Sequence, residues 1–398
     1  MRVLVLTTAA SWTPSARVLI TLGAELAARG DIVTVACLSR SALERSVEAA
    51  FPRLPVRGIA GQGVFARIRS ARGIVAALRP DAVLVHSEPD SVLAAMATGR
   101  RGGVVRRWSV GEDAPERRPA ALTWRSRLAN ACTRLTLWGR DPIAVSWPGP
   151  SSRYVRAELP AGEAVPAALW IVPAADHDER TAVSLRAAAR LVGRHPSLRI
   201  VLLGEVAALQ STRVHAASLG LTAFVQVAPI DTLLLADEID AAAVWITADG
   251  DDGAIATIAA MQRGIPVVVP AALSFSSMVA SRLTGFVMPD VDIPTIIAEL
   301  AQLIADRPAY EAMGNAARER ATLLHGWSQF VDDAAEVLSL ASGSSRMLRS
   351  CCRWPDRRKW AMSRIASNVS SRSASGSTCR NVRPAASTTL TPSVVSSR

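Results

Sequence analysis

Short apolar stretches alternate with longer amphipathic stretches through the first half of the chain. In Ser15–Arg29 the apolar residues recur at helical spacing, whereas residues 2–7 are almost continuously apolar. The predicted strands are 2–7, 32–37, 82–87, 104–108 and 142–146, and the predicted helices are Ser15–Arg29, Phe65–Leu78, Asp90–Arg100 and Leu122–Leu137. Apolar strands separated by helices predict a parallel sheet that is covered on both faces.

The second half repeats this alternation after a stretch rich in turn residues at 148–166. The predicted strands are 168–172, 198–204, 224–228, 243–248, 266–270 and 285–289, and the helices Pro308–Leu324 and Trp327–Leu340 follow them. We therefore predict an α/β protein with two Rossmann-like parallel-sheet domains that face a cleft. The predicted divisions are a first domain at 1–150, a linker at 151–166, a second domain at 167–325 and a closing helix at 326–345. Ligands of such sheets bind outside the carboxyl ends of the strands.

Composition supports a large buried core. The chain has 398 residues, of which 49% are hydrophobic, and no apolar run reaches the roughly 18 residues that span a bilayer. The first residues, MRVLVLTTAA, lack a signal-peptide pattern and are predicted to form a strand. The five cysteines contain no CxxC pair, so we expect a cytoplasmic protein without a metal site.

The net charge of +11 is concentrated at the end of the chain. Residues 346–398 contain ten Arg and Lys359 against Asp356, which gives 11 − 1 = +10 and leaves +1 for residues 1–345. We predict that 346–398 is a disordered basic tail, one form of which is sequence translated out of its original frame. The alternative is a functional tail that binds anionic lipid or nucleic acid. For the body itself we expect no specific nucleic-acid binding.

The stretch DGDDGAIATIAAMQRGIPVVVP at 249–270 is the most informative part of the sequence. It places acidic residues and Gly253 between a buried strand and a helix, and amides at a helix start bind anions. We predict that the helix starts at Gly253 and that the amides of Ala254 and Ile255 face a phosphate. The alternative role for Asp251 and Asp252 is to cap the helix.

QRGIPVVVP and TGFVMPDVD, with AAM at 259–261, resemble the C-terminal domain of the retaining family-4 glycosyltransferases, which have the GT-B fold. LITLGAELAARGDIVTVAC and PDAVLVHSEPDSVLAAMA resemble the N-terminal domain of the same family. The resemblance covers about residues 1–341. It implies a nucleotide-diphosphate sugar donor, transfer with retention, a glycan or lipid-linked acceptor and no metal or other cofactor. A cytoplasmic enzyme in peripheral contact with the inner face of the membrane would fit this role.

The resemblance also implies catalytic positions. Asp251 matches the first acid of the family's E-x7-E pattern, His86 matches an early family histidine, and Ser109 lies near the position of a second histidine. Ala259 replaces the glutamate that binds the donor ribose. We expect a glutamate to fit at this position if the cleft is solvated.

The donor-binding positions implied by the resemblance are only partly retained. Gly204 and Glu205 match the loop on the nucleotide side, and Arg180 is the candidate cation for the diphosphate, although the family's lysine aligns with Glu179. The remaining donor-binding candidates are Asp252, Gly253, Ala254 and Ile255.

The family's residues are retained more often at positions that build the fold than at positions that perform chemistry. Gly264, Pro266, Thr284 and Gly285 match the family pattern, whereas Ala259 does not. The first hypothesis is therefore a glycosyltransferase. The second is a non-catalytic GT-B module that binds a glycan, a nucleotide or a protein, and the third is a basic-tailed binder of anionic surfaces.

Overall fold

The computed structural model describes residues 1–98, 104–107, 168–174, 178–206, 208–230, 232–235, 241–288 and 293–342. All of them belong to the first of two compact units, Met1–Gly343. The predicted helix at 122–137, the strand at 142–146, the linker and the basic tail lie outside the described residues.

The first sheet contains five parallel strands in the order β3-β2-β1-β4-β5. Its strands are β1 (Arg2–Leu6), β2 (Ile32–Leu38), β3 (Val56–Ile59), β4 (Ala82–Val85) and β5 (Val104–Arg107). The helices between them are α1 (Pro14–Ala28), α2 (Ala42–Ala50), α3 (Val64–Leu78) and α4 (Glu88–Thr98). Strand order reverses between β1 and β4, so the carboxyl ends of these two strands form the switch point of the sheet.

The second sheet contains six parallel strands in the order β11-β10-β9-β6-β7-β8. Its strands are β6 (Ala168–Val172), β7 (Arg199–Leu203), β8 (Val225–Ala228), β9 (Ala243–Ile246), β10 (Val267–Pro270) and β11 (Gly285–Met288). The helices are α5 (Glu179–Arg194), α6 (Gln210–Ser218), α7 (Thr232–Leu235), α8 (Gly250–Gln262), α9 (Ile293–Ala305), α10 (Arg307–Leu324) and α11 (Trp327–Ser342), with a 3-10 turn at Ser276–Met278. The switch point lies between β6 and β9.

The prediction of two Rossmann-like parallel sheets is confirmed. The sequence analysis missed α2 and β3, because these elements bury few apolar side chains. In α2 only Leu43 and Val47 are buried, and in β3 only Ile59 is buried, so neither has a continuous apolar pattern. No helix in the described ranges combines the length and apolar character that crossing a membrane requires.

Helix α1 lies where the two sheets meet. Thr13 caps it by accepting a hydrogen bond from the Ala16 N–H at 3.1 Å, and Pro14 occupies its first position, where no amide donor is needed. The helix packs on β1 and β2 and also on α8 and α11 of the second half. Buried residues of both halves, such as Leu19 and Ile255, accordingly belong to one continuous hydrophobic cluster.

Gly264 and Gly285 are required by close backbone packing. Gly264 has a φ of +66°, and a Cβ there would lie 3.0 Å from the carbonyl oxygen of Gly314 in α10. At Gly285 a Cβ would lie 2.2 Å from the carbonyl oxygen of Val267 on the neighbouring strand. These contacts explain why the fold needs glycine at both positions.

His325, which joins α10 to α11, makes stability sensitive to acid. Burial, with a contribution from the charge of Arg320, lowers the pKa of His325 from 6.5 to about 4. Between these values the unfolded chain binds more protons than the folded chain. The free energy of unfolding should therefore fall on acidification below pH 6.5, by at most about 1.4 kcal/mol per pH unit from this group. Urea denaturation at pH 7, 6 and 5 measures this slope.

His325→Gln should flatten that slope. Equal slopes in the wild type and the variant would contradict a buried, neutral His325.

Candidate functional site

The chemically important residues lie at the carboxyl ends of both sheets, where the two sheets contact each other. Ser11 and Ser15 follow β1, and His86 follows β4 at the switch point of the first sheet. Arg180 follows β6, Glu205 follows β7, and Asp251 and Asp252 follow β9. The structure brings these two sets together through three side-chain contacts, described in turn below.

Helix α8 begins at Gly250 and not at Gly253, because Asp249 caps it. The Asp249 Oδ1 atom accepts hydrogen bonds from the Gly250 N–H at 2.8 Å and from the Ser274 hydroxyl at 3.2 Å. Only the first four amides of an α-helix lack a partner within the helix. The amides of Ala254 and Ile255 therefore lie beyond that first turn, and the predicted helix start is wrong.

The residues at the start of α8 have little free space. Gly253, Ala254 and Ile255 are all buried. A Cβ at Gly253 would lie 2.1 Å from the Ala248 carbonyl oxygen and 3.1 Å from the Phe275 ring, so only glycine fits there. Of the amides in the predicted phosphate site, only that of Gly253 belongs to the first turn.

Asp252 joins the start of α8 to the start of α1. Its Oδ1 atom accepts hydrogen bonds from the Ser15 N–H at 2.9 Å and from the Ser15 hydroxyl at 2.7 Å. Ser15 is the second residue of α1, so this carboxylate lies at the positive end of the α1 dipole as well as in the first turn of α8. Asp252 thus occupies the position that an anionic ligand of the α1 amino end would take.

Asp251 and His86 form the second contact between the sheets. The Asp251 Oδ2 atom lies 3.4 Å from His86 Nδ1, and each side chain is only 15% exposed. The sequence analysis assigned both to the catalytic group, and the structure brings them together. Ser109, the third residue of that group, lies outside the described residues.

Glu205 makes the third contact. The hydroxyl of Ser11, in the loop after β1, donates a hydrogen bond to Glu205 Oε1. Gly204 precedes Glu205 at the end of β7, and its N–H donates to the Ala228 carbonyl at 2.9 Å. The loop that was predicted to bind the nucleotide therefore faces the first sheet.

Arg180 lies in the first turn of α5, beside the switch point. Its Nε atom donates to Asp178 Oδ2 at 2.5 Å, and Asp178 also caps the helix through the Arg180 N–H. The next residue, Thr181, lies 2.9 Å from the hydroxyl of Thr247, which follows β9. This contact places the start of α5 next to the start of α8.

Ala259 is not on a solvated surface. It is 0% exposed and belongs to the hydrophobic cluster that includes Ala254, Ile258 and Phe330. The condition on which a glutamate was expected to fit there, a solvated cleft, is therefore not met at Ala259. Helix α8 is buried on every side from Gly253 to Met261, because it is enclosed by strands and other helices.

Asp90 is a site residue that sequence reasoning missed. Its Oδ1 atom accepts hydrogen bonds from the Thr8 N–H at 2.8 Å and the Thr8 hydroxyl at 2.6 Å, which holds the glycine-free loop after β1. Burial raises the pKa of the Asp90 carboxyl, although the hydrogen bonds from Thr8 and Ser87 oppose this shift. The available signal was an acid in the first turn of the helix that follows a buried strand. Within the described part of the chain, no group of three or more His, Cys, Asp or Glu side chains is arranged to hold a metal ion.

Comparisons with known proteins agree with this arrangement. Residues 166–320 match the model of the family described as Glycosyl transferases group 1. None of the curated proteins matches the chain. Among solved structures, HepE from Anabaena in complex with UDP and glucose is similar, with a TM-score of 0.67 and 16% identity over 85% of this chain and 99% of HepE.

Two further solved structures have the same architecture. Sucrose-phosphate synthase from Thermosynechococcus elongatus has a TM-score of 0.66 and 13% identity over 85% of this chain and 98% of its own. A glycosyltransferase from Rickettsia africae has a TM-score of 0.64 and 12% identity over 86% and 99%. The chain has the GT-B fold. At these identities the structural likeness establishes the fold alone, and the family match covers the residues of the second sheet.

Proposed function

We propose that this protein transfers a sugar, with retention, from a nucleotide-diphosphate donor to a glycan or lipid-linked acceptor. The observation that carries the proposal is the match of residues 166–320 to group 1 glycosyltransferases. Two further observations support it: HepE was solved with UDP and glucose, and the carboxyl ends of the two sheets face each other in this chain. Cytoplasmic location and peripheral membrane contact belong to the same proposal.

In this proposal the donor lies outside the carboxyl ends of β6, β7 and β9. Arg180 neutralises the charge that develops on the leaving diphosphate, which stabilises the transition state. Gly204 and Glu205 bind the nucleoside, and a carboxylate such as Glu205 binds ribose hydroxyls through charge-assisted hydrogen bonds. Asp251 and His86 lie at the sugar, and Ser109 lies on the acceptor side.

The second candidate is a non-catalytic GT-B module that binds a glycan, a nucleotide or a protein. A specific observation favours it: Asp252 already occupies the anion position between α1 and α8. Ala259 also provides no carboxylate for a ribose. A protein that fills its phosphate position with its own side chain needs to open before a diphosphate enters.

A nucleotide panel separates the two candidates. Under the transferase proposal, one of UDP, GDP, UDP-glucose and GDP-mannose should raise the melting temperature, because a ligand of the folded state stabilises that state. Arg180→Gln should then weaken calorimetric binding of the active nucleotide by about tenfold or more, as expected for a lost hydrogen bond to a charged group. Arg213→Gln on exposed α6 is the matched control and should bind as the wild type does.

If no nucleotide shifts the melting temperature of the folded protein, the non-catalytic module becomes the better description. If a nucleotide binds equally well to wild type and Arg180→Gln, the diphosphate lies elsewhere.

A further inference from the structure

The loop from Thr7 to Thr13, which joins β1 to α1 at the candidate site, is fixed at several points. The Thr7 N–H donates to the Ala36 carbonyl at 3.0 Å, and the Ala10 carbonyl accepts from the Leu43 N–H at 3.0 Å. Thr13 ends the loop by capping α1. We call residues 7–13 the β1 loop. It contains no glycine, and its backbone is tied to β2 and to the start of α2.

Asp90 holds the β1 loop from the other strand of the switch point. It lies in the first turn of α4, after β4, and its Oδ1 atom accepts hydrogen bonds from the Thr8 N–H at 2.8 Å and the Thr8 hydroxyl at 2.6 Å. The Asp90 N–H donates to the Ser87 hydroxyl oxygen at 3.2 Å. The carboxylate therefore links two elements whose contacting residues are 82 positions apart in the chain.

Stability does not account for the charge of Asp90. The residue is only 2% exposed, and burial raises the pKa of its carboxyl even though Thr8, Ser87 and Thr7 donate hydrogen bonds to it. The folded protein therefore stabilises the carboxylate less well than water does. A neutral side chain of similar size would avoid this cost. A buried charge that is kept in spite of it is typical of residues with a role in a functional site.

The β1 loop leads to two contacts with the second sheet. Ser11, three residues after Thr8, donates its hydroxyl to Glu205 Oε1. Ser15, in the first turn of α1 directly after the loop, donates its N–H to Asp252 Oδ1 at 2.9 Å. Glu205 and Asp252 are both donor-binding candidates. The anchor at Thr8 is thus connected through a few residues to the second half of the candidate site.

We propose that Asp90 is a positioning residue of the candidate site: by anchoring the β1 loop, it keeps the contacts to Glu205 and Asp252 in place for the donor. A loop that is already fixed does not have to be ordered when the ligand binds, which removes one entropic cost of binding. The identity of the ligand rests on the proposed transferase function. The coupling between Asp90 and the contact of Ser15 with Asp252 is a property of the protein alone.

Hydrogen exchange of single amides, measured by mass spectrometry on the full chain without ligand, tests this coupling. The Ser15 N–H is the reporter: as the second amide of α1 it has no partner within the helix, so its protection depends on Asp252. Asp90→Asn should raise the exchange rate of the Thr8 amide by about tenfold or more, since a hydrogen bond to a charged group is weakened. It should also raise the exchange rate of the Ser15 amide, by roughly threefold or more.

Asp81→Asn is the matched control. The Asp81 Oδ2 atom accepts from the Arg2 N–H at 2.7 Å and so holds the amino end of β1, opposite the candidate site, with the same kind of bond. This variant should leave the exchange of Thr8 and Ser15 as in the wild type. Asp252→Asn should raise exchange at Ser15 and leave Thr8 unchanged, which verifies that the reporter responds to the contact between the sheets.

If Asp90→Asn leaves the exchange of Ser15 unchanged, the anchor acts only locally and the proposal is overturned. A uniform rise in exchange over both sheets, together with a lower melting temperature, would also overturn it, because Asp90 would then serve general stability. If Asp90→Asn does not fold, Thr8→Val decides. It removes only the hydroxyl partner of Asp90 and should raise exchange at Ser15 by roughly twofold, whereas unchanged exchange there overturns the proposal.

The nucleotide panel provides a separate measurement. For a nucleotide that binds the wild type, Asp90→Asn should weaken calorimetric binding by roughly fivefold or more, because the loop must then be ordered on binding. Asp81→Asn should bind as the wild type does, and unchanged or tighter binding by Asp90→Asn would overturn the proposal. If no nucleotide binds the wild type, the transferase proposal fails, while hydrogen exchange still decides whether Asp90 positions the two contacts. The two proposals therefore fail separately.

Discussion

Ala259→Glu should lower the free energy of unfolding by about 3–5 kcal/mol, which is the range for an unpaired charge left in a protein interior. Ala259 is 0% exposed, and its neighbours in α8 are buried as well. The new carboxylate would have to shift its pKa far upward or open the hydrophobic cluster shared by the two sheets. Urea denaturation of the wild type and the variant measures the loss directly.

Ala312→Glu is the matched control, because Ala312 is an exposed position in the long helix α10. This substitution should change stability by no more than about 0.5 kcal/mol. If Ala259→Glu instead remains as stable as the wild type and binds a nucleoside diphosphate more tightly, α8 has a solvated side and its alignment with the ribose-binding helix is restored.

The fold could be predicted because its elements bury continuous apolar surface. Strands such as β6 and β10 are buried at every position, so their sequences identify them without further information. The elements that were missed, α2 and β3, bury only a few side chains each. The error at the start of α8 has another cause: Asp249, Asp251 and Asp252 are all suitable capping residues, and only the structure shows that Asp249 performs this role.

The candidate site could be predicted only in part, because its residues come from distant positions. The resemblance placed His86 and Asp251 in one site, and the His86 Nδ1 and Asp251 Oδ2 atoms lie 3.4 Å apart. The partner of Asp252 could not be predicted, since Ser15 is 237 positions away and serine after proline is an ordinary helix beginning. The burial of Ala259 was missed, although the nearly continuous apolar sequence of α8 is typical of a helix with no solvated side.

Asp252 therefore separates the two functional candidates better than any other residue. Two helix amino ends, those of α1 and α8, both carry partial positive charge, and Asp252 lies between them. As a donor-binding residue it would turn toward the ligand when the donor binds. As an internal substitute for a phosphate it would exclude the ligand by charge and by occupying the donors of Ser15.

Asp252→Ala should create an anion site if the carboxylate is an internal substitute. The substitution frees the N–H and the hydroxyl of Ser15 and removes one negative charge from the start of α8. At about 1.5–3 kcal/mol for a hydrogen bond to a charged group, pyrophosphate or UDP should then bind at least about tenfold more tightly than to the wild type.

Asp249→Asn is the matched control: it removes a carboxylate from the same helix end, retains the cap and leaves Ser15 paired. Calorimetric titration of the three proteins decides between the roles. If only Asp252→Ala binds the anion more tightly, the Asp252 carboxylate occupies the anion site in the wild type. If both variants bind more tightly to the same extent, the loss of one negative charge accounts for the effect. Weaker UDP binding by Asp252→Ala than by the wild type would show that Asp252 contacts the donor, as the transferase proposal requires.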